Sequence, residues 1–197
     1  MTDMVITPFT VTVDEADLAD LRRRLAATRW PDWLPGSGWG YGVDETYLKR
    51  LCAYWQDGYD FAGYAARLNA WPQFLGTLDG EQIQFYHVRS PVPTARPLVL
   101  IHGWPGSVVE FLDLIGPLTD PEAHGGRAED AFHVVVPSLP GYGYAGPTRG
   151  QGVDVVVAAR LTDAAMRAIG YDRYFAQGGD WGSIVASRMA ENYPERV

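Results

Sequence analysis

The 197-residue sequence predicts an α/β protein with a buried, largely parallel sheet covered on both faces, entered through a mostly helical extension. Three observations carry this. Short continuous apolar segments at Leu98–Ile101, Phe132–Val136 and Tyr174–Ala176 are each followed by a stretch with helical period, the alternation expected of βα units. A strand pair precedes them, with Asp79-Gly80 as its hairpin turn and Ile83, Phe85 and His87 alternating after it. The last apolar segment runs into Gly178-Gly179-Asp180-Trp181-Gly182, a sharp strand-to-helix turn.

The elements follow in order. Phe9, Val11 and Val13 alternate as a strand, and Asp14 caps a helix whose apolar stripe is Leu18, Leu21 and Leu25. Arg22, Arg23 and Arg24 read as a solvated face pairing with nearby acids, and Trp30-Pro31 ends the helix. After a loop rich in Trp, Gly and Pro, a second helix starts at Asp44 and stops at Asp57-Gly58; a third covers about Asp60 to Asn69. The lone cysteine, Cys52, lies on the second and reads as a small buried hydrophobe. Residues 1–75 are thus a helical extension and 76–197 the first part of an α/β core. Within that core, helices are expected over Phe111 to Leu118, Val157 to Ile169 and beyond Asp180, with Gly170 as a helix C-terminal cap and 120–130 as an acidic loop.

A net charge of −8 argues against a nucleic-acid surface. No apolar run approaches a membrane span, and Met1-Thr2-Asp3-Met4 lacks the pattern of a signal peptide, so a soluble, cytoplasmic protein is expected. With one cysteine, an internal disulfide and a cysteine-based zinc site are excluded, and no metal or organic cofactor is expected.

Gln177 to Ser183 places an acidic side chain where the nucleophile elbow of α/β-hydrolases carries its nucleophile, between small residues that let the backbone turn tightly. A carboxylate is already anionic at neutral pH. It suits attack on a saturated carbon with a strained leaving group, giving an alkyl ester of the protein that activated water must then hydrolyse. The first step needs an acid for the leaving oxygen, and the second a base and an oxyanion hole. The alternative is that Asp180 merely caps the following helix. A second motif, His102-Gly103-Trp104-Pro105-Gly106-Ser107, follows the Leu98–Ile101 strand directly, forcing a turn at the sheet's C-terminal edge. It would bring the Trp104 N–H to the tip of the Asp180 strand, where the Trp104 and Trp181 amides would form the oxyanion hole.

With His102-Gly-Trp-Pro-Gly-Ser, Pro137-Ser-Leu-Pro-Gly-Tyr-Gly and Gly178-Gly-Asp-Trp-Gly-Ser, the chain resembles epoxide hydrolases of the microsomal and juvenile-hormone type. The resemblance extends through Arg24-Leu25, Thr28 to Pro31, Tyr54-Trp55, Tyr59-Asp60 and Leu68-Asn69, essentially the whole chain. It implies a partial α/β-hydrolase fold, a small-molecule epoxide as substrate, Asp180 as nucleophile and the two tryptophan amides as oxyanion hole. Tyr142 and Pro105 are placed at the substrate pocket. Ala145 departs from the Ser or Thr usual in its loop. Members of the family continue for roughly as long again, with a lid supplying two tyrosines, an acidic residue and a late histidine. No histidine follows Asp180, and His87, His102, His124 and His133 read as structural or solvated. The expected complement is a second C-terminal polypeptide or missing segment, with a homodimer also conceivable. Haloalkane dehalogenases share an Asp-Trp-Gly elbow, but Trp104-Pro105 and the Trp-rich extension count against them. A noncatalytic fragment that kept the elbow is the remaining alternative.

Overall fold

The computed structural model describes residues 4–197. The chain divides into two compact units, residues 11–67 and residues 1–10 with 68–197. The sheet unit therefore takes in the first strand and begins again at residue 68, where the sequence reading set one boundary at 75.

The 11–67 unit is helical: α1 (Glu15–Ala26), α2 (Glu45–Ala53), a π-helical turn over Tyr54–Gly58, and most of α3 (Phe61–Leu68). Asp14 accepts from the Ala16 N–H at 2.6 Å, as expected, and Asp44 from Tyr47 at 2.9 Å and Asp60 from Gly63 at 2.8 Å, so each start is held by an acidic cap. Helix α1 ends at Ala26, four residues before Trp30, because the Ala27 and Thr28 N–H groups fold back onto the Arg23 and Leu25 carbonyls. Arg23 and Arg24 both pair with Asp20 on the exposed face. Cys52 is half-buried, less enclosed than its apolar neighbours suggested.

The sheet unit holds six strands: β1 (Val5–Phe9), β2 (Gln73–Leu78), β3 (Glu81–Val88), β4 (Arg96–Ile101), β5 (Phe132–Pro137) and β6 (Phe175–Gly178). Their spatial order is β1-β2-β3-β5-β4-β6. Only β5, β4 and β6 run parallel; β1, β2 and β3 are antiparallel, joined for β2 and β3 by the Asp79-Gly80 turn with both residues at positive φ. The first strand spans 5–9 and excludes Val11 and Val13. Its partner β2 starts at Gln73, opposite Phe9, and the preceding Pro72 has no N–H to extend the ladder.

Helices α5 (Val155–Ala168) and α6 (Trp181–Asn192) pack against each other on one face of the sheet. There Leu161, Ala165, Met166, Val185 and Met189 enclose Ile83, Phe85, Val99, Ile101 and Val135. Alternation along the strands turns Leu100, Val134 and Val136 to the other face, where α4 (Leu112–Thr119) lies against β5 and contributes Leu112 and Ile115. Gly170, at φ 95°, closes α5 as expected. The 120–130 loop contains two short 3₁₀ turns. Strand β6 is a sheet edge, with Phe175 half exposed.

The segment that follows α6 is tied down by charge. Asp163 on α5 is buried, accepts from the Tyr174 hydroxyl at 2.8 Å and pairs with Arg196 at 2.8 Å. Asp163→Ala is expected to lower stability by ~2 kcal/mol, because it leaves the buried Tyr174 hydroxyl without its acceptor and Arg196 with only its exposed pairing to Glu195. Urea unfolding of the variant checks this, and a loss below ~1 kcal/mol would show the pair to be incidental.

Candidate active site

Strand β4 delivers His102 and the following turn, and β6 delivers Asp180, at adjacent C-terminal strand ends, since the two strands pair in parallel from Leu98↔Phe175 to Ile101↔Gly178. The Trp104 backbone N–H donates to Asp180 Oδ1 at 2.8 Å. That bond above all, and then the neighbouring Trp181 amide, hold the Asp180 carboxyl below the ordinary carboxylate range. Thus Asp180, Trp104 and Trp181 are brought together as the sequence suggested.

Asp180 sits at φ 52° and ψ −125°, a backbone conformation that costs a non-glycine residue strain. It occupies the N-cap position of α6, yet its side chain makes no capping bond into the helix. The capping alternative therefore leaves the carboxylate's orientation unexplained, whereas a sharp elbow accounts for both features. Three glycines permit the arrangement. A Cβ at Gly178 would run into the Gly182 carbonyl, one at Gly182 into the Ile101 carbonyl, and one at Gly103 into the Asp180 carboxylate. Strand, turn and helix approach so closely that no side chain fits between them.

The 103–107 loop is closed by a capping box. Ser107 accepts from the Val109 N–H at 3.3 Å, and the Glu110 carboxylate accepts from the Ser107 N–H at 3.2 Å. His102 is 1% exposed, and Tyr142 meets its ring edge-on with centroids 5.1 Å apart.

Beside the elbow lies an apolar cavity of about 290 Å³, bounded by Leu139, Tyr142, Val153, Val155, Ala158, Trp181 and Val185 among others. Tyr142 and Trp181 thus line it. Pro105 lies outside that lining: it is exposed, its bond to Trp104 is cis, and Trp104 itself is 67% exposed. The sequence reading missed the walls supplied by Leu139, Val155 and Val185. Their signal was the apolar face of α5 and α6, which points to packing and does not distinguish a wall from a core.

Every histidine has its own place. His87 bonds the Tyr171 hydroxyl at 2.9 Å, and burial pushes it down to about 4. His133 accepts from the Ser90 N–H at 3.0 Å, and His124 ends a short 3₁₀ turn. Among the described residues none is a hydrogen-bond partner of Asp180. No group of His, Cys, Asp and Glu suited to a metal occurs among them either, and no helix is long and apolar enough to cross a membrane.

The family described as "Epoxide hydrolase N terminus" matches residues 6–111, and the alpha/beta hydrolase fold family matches 96–197. Epoxide hydrolase 1 of Sus scrofa is 38% identical over 199 aligned residues, covering 99% of this chain and 44% of that protein. The crystal structure of juvenile hormone epoxide hydrolase from the silkworm Bombyx mori superimposes with a TM-score of 0.86 at 34% identity, covering 99% of this chain and 52% of the other. The Aspergillus niger epoxide hydrolase structure gives 0.84 at 31%, covering 98% and 50%. The chain spans less than half the length of the curated relatives it matches. With an aspartate at the elbow, the Trp104 amide on its carboxylate and the two family matches together running from residue 6 to 197, the chain belongs to the α/β-hydrolases that carry the epoxide hydrolase N terminus.

Proposed function

We propose that this chain carries the nucleophilic half of an epoxide hydrolase. The observation that supports it most is the Asp180 carboxylate held by the Trp104 amide, with Trp181 next to it, at a strained elbow beside an apolar cavity. The carboxylate attacks a ring carbon from behind as the carbon–oxygen bond breaks, and the oxygen leaves as an alkoxide that takes a proton. Carboxylate and ring carbon are then joined as an ester. Oδ1, already facing the Trp104 amide, becomes the carbonyl oxygen whose negative charge the same amides stabilise when water attacks. The water is deprotonated by a base, and collapse releases the vicinal diol and regenerates Asp180.

The proton-donating acids and the base for this cycle belong, in this reading, to sequence beyond these 197 residues. Both nitrogens of His102 are engaged, and the matched relatives are far longer than this chain. The open β6 edge offers further strands a place to pair.

The experiment is an intact-mass measurement of the chain after exposure to a simple aryl epoxide at mildly acidic pH, where buffer acid supplies the proton. Asp180 is expected to gain one epoxide mass and keep it, because among the described residues no histidine bonds to Asp180 to activate a water against the ester. A mass that never changes would overturn the nucleophile assignment. The ionised form is the nucleophile, and the two amides lower the carboxyl's pKa. The rate of adduct formation should therefore not decline as pH falls to the ordinary carboxylate range and should drop only below it. A fall centred near pH 6 would point to a different attacking group.

A further inference from the structure

We propose that His102 is a positioning residue: its neutral ring, protonated at Nδ1, fixes the Gly103–Trp104 peptide plane so that the Trp104 N–H points at Asp180. The inference deepens the reading of Asp180 as nucleophile and rests on it for its consequence in catalysis.

The argument begins with one peptide unit. The carbonyl of Gly103 and the N–H of Trp104 belong to the same planar group, which is trans, so the two point in opposite directions. His102 Nδ1 lies 3.0 Å from the Gly103 oxygen, and the Trp104 nitrogen lies 2.8 Å from Asp180 Oδ1. Holding one end of the plane aims the other.

The tautomer follows from the opposite ring nitrogen. Nε2 lies 3.1 Å from the Leu139 nitrogen, whose N–H can only donate, so Nε2 must accept and Nδ1 must carry the proton. Burial favours this neutral ring by holding its pKa below the ordinary histidine value.

A fixed plane is needed here because residue 103 has no side chain to hold it. Any Cβ would strike the Asp180 carboxylate, so position 103 must be glycine, the residue with the freest backbone. The histidine supplies the restraint that the glycine lacks. A donor on the carbonyl also polarises the peptide group, strengthening the N–H that faces the carboxylate.

A purely structural role would place the weight on the other bond. Leu139 follows Ser138, which donates to Gln84 Oε1 at 2.6 Å, so His102 also ties its loop to the one after β5. Two variants separate the bonds. His102→Asn can present an amide N–H near the Nδ1 position while losing the acceptor for Leu139. His102→Gln can reach the Nε2 position and accept from Leu139 while losing the donor to Gly103.

The readout is the Trp104 backbone amide in the unmodified 197-residue chain and in each variant, followed by proton shift and hydrogen exchange. His102→Asn should stay near the parent value. His102→Gln should exchange about tenfold faster or more, with its proton shifted upfield, as expected on loss of a charge-assisted bond. The reverse order, or equal loss in both, overturns the proposal in favour of a loop tie. Should neither variant fold, the long-range proton–nitrogen spectrum of the parent decides: a proton on Nε2 overturns the proposal, and one on Nδ1 supports it. None of these signals involves an epoxide. A parent chain that never forms the adduct would therefore count against the nucleophile reading while leaving the His102 result standing.

Discussion

Asp180→Asn is expected to fold like the parent and to form the epoxide adduct at least about a thousandfold more slowly, the scale seen when a reacting group is removed from an intact site. An amide oxygen is a poor nucleophile, and the carboxamide carries no charge to drive ring opening. The rest of the elbow is undisturbed. Asparagine tolerates positive φ about as well as aspartate does, and its carbonyl oxygen can still accept from the Trp104 N–H. The side chain caps nothing in α6, so the unfolding free energy should move by no more than ~0.5 kcal/mol. Intact mass against time, with urea unfolding beside it, measures both. An adduct that accumulates as fast in the variant would remove Asp180 from the chemistry. A large loss of stability would instead show that the carboxylate serves the helix.

How much of this was legible beforehand depends on how local each signal is. The hairpin at Asp79-Gly80, the acidic cap at Asp14, and the three βα units are each written within a few residues, and the structure has them where the pattern put them. The meeting of Trp104 with Asp180 was readable for a related reason. Two turns that end neighbouring parallel strands must lie side by side. The first strand was misplaced because its end is set by Pro72, the residue just before its partner strand and more than sixty positions away. Pro105 was placed in the pocket because of its neighbours in sequence, while the actual walls come from helices α5 and α6, whose faces are fixed by packing. Nor could the sequence show that buried His102 spends one nitrogen on Gly103 and the other on Leu139. The glycines of the elbow are the sharpest instance. Gly178, Gly179 and Gly182 look alike in sequence, yet the structure gives them different duties.

Gly182→Ala should be the most damaging single-methyl change in this region. A Cβ there would press on the Ile101 carbonyl and lie 2.7 Å from the His102 carbonyl, both backbone atoms of β4 and its turn. A flexible side chain could swing aside, but backbone cannot. Relief requires α6 to lift from the sheet, which would also pull Asp180 away from the Trp104 amide. Overpacking of this kind costs ~3 kcal/mol, and at this chain length that corresponds to a fall in Tm of about 10 °C. Gly179→Ala provides the contrast. Nothing lies within 4 Å of a Cβ at that position and its φ is not positive, so its Tm should stay within about 2 °C of the parent. Thermal unfolding of the pair tests the close approach directly. If both variants unfold alike, the separation between α6 and β4 is larger than 2.7 Å implies, and the claim that the elbow is held by backbone contact fails. If only Gly182→Ala falls, the glycines around Asp180 are set by how near a helix must come to a strand to expose one carboxylate.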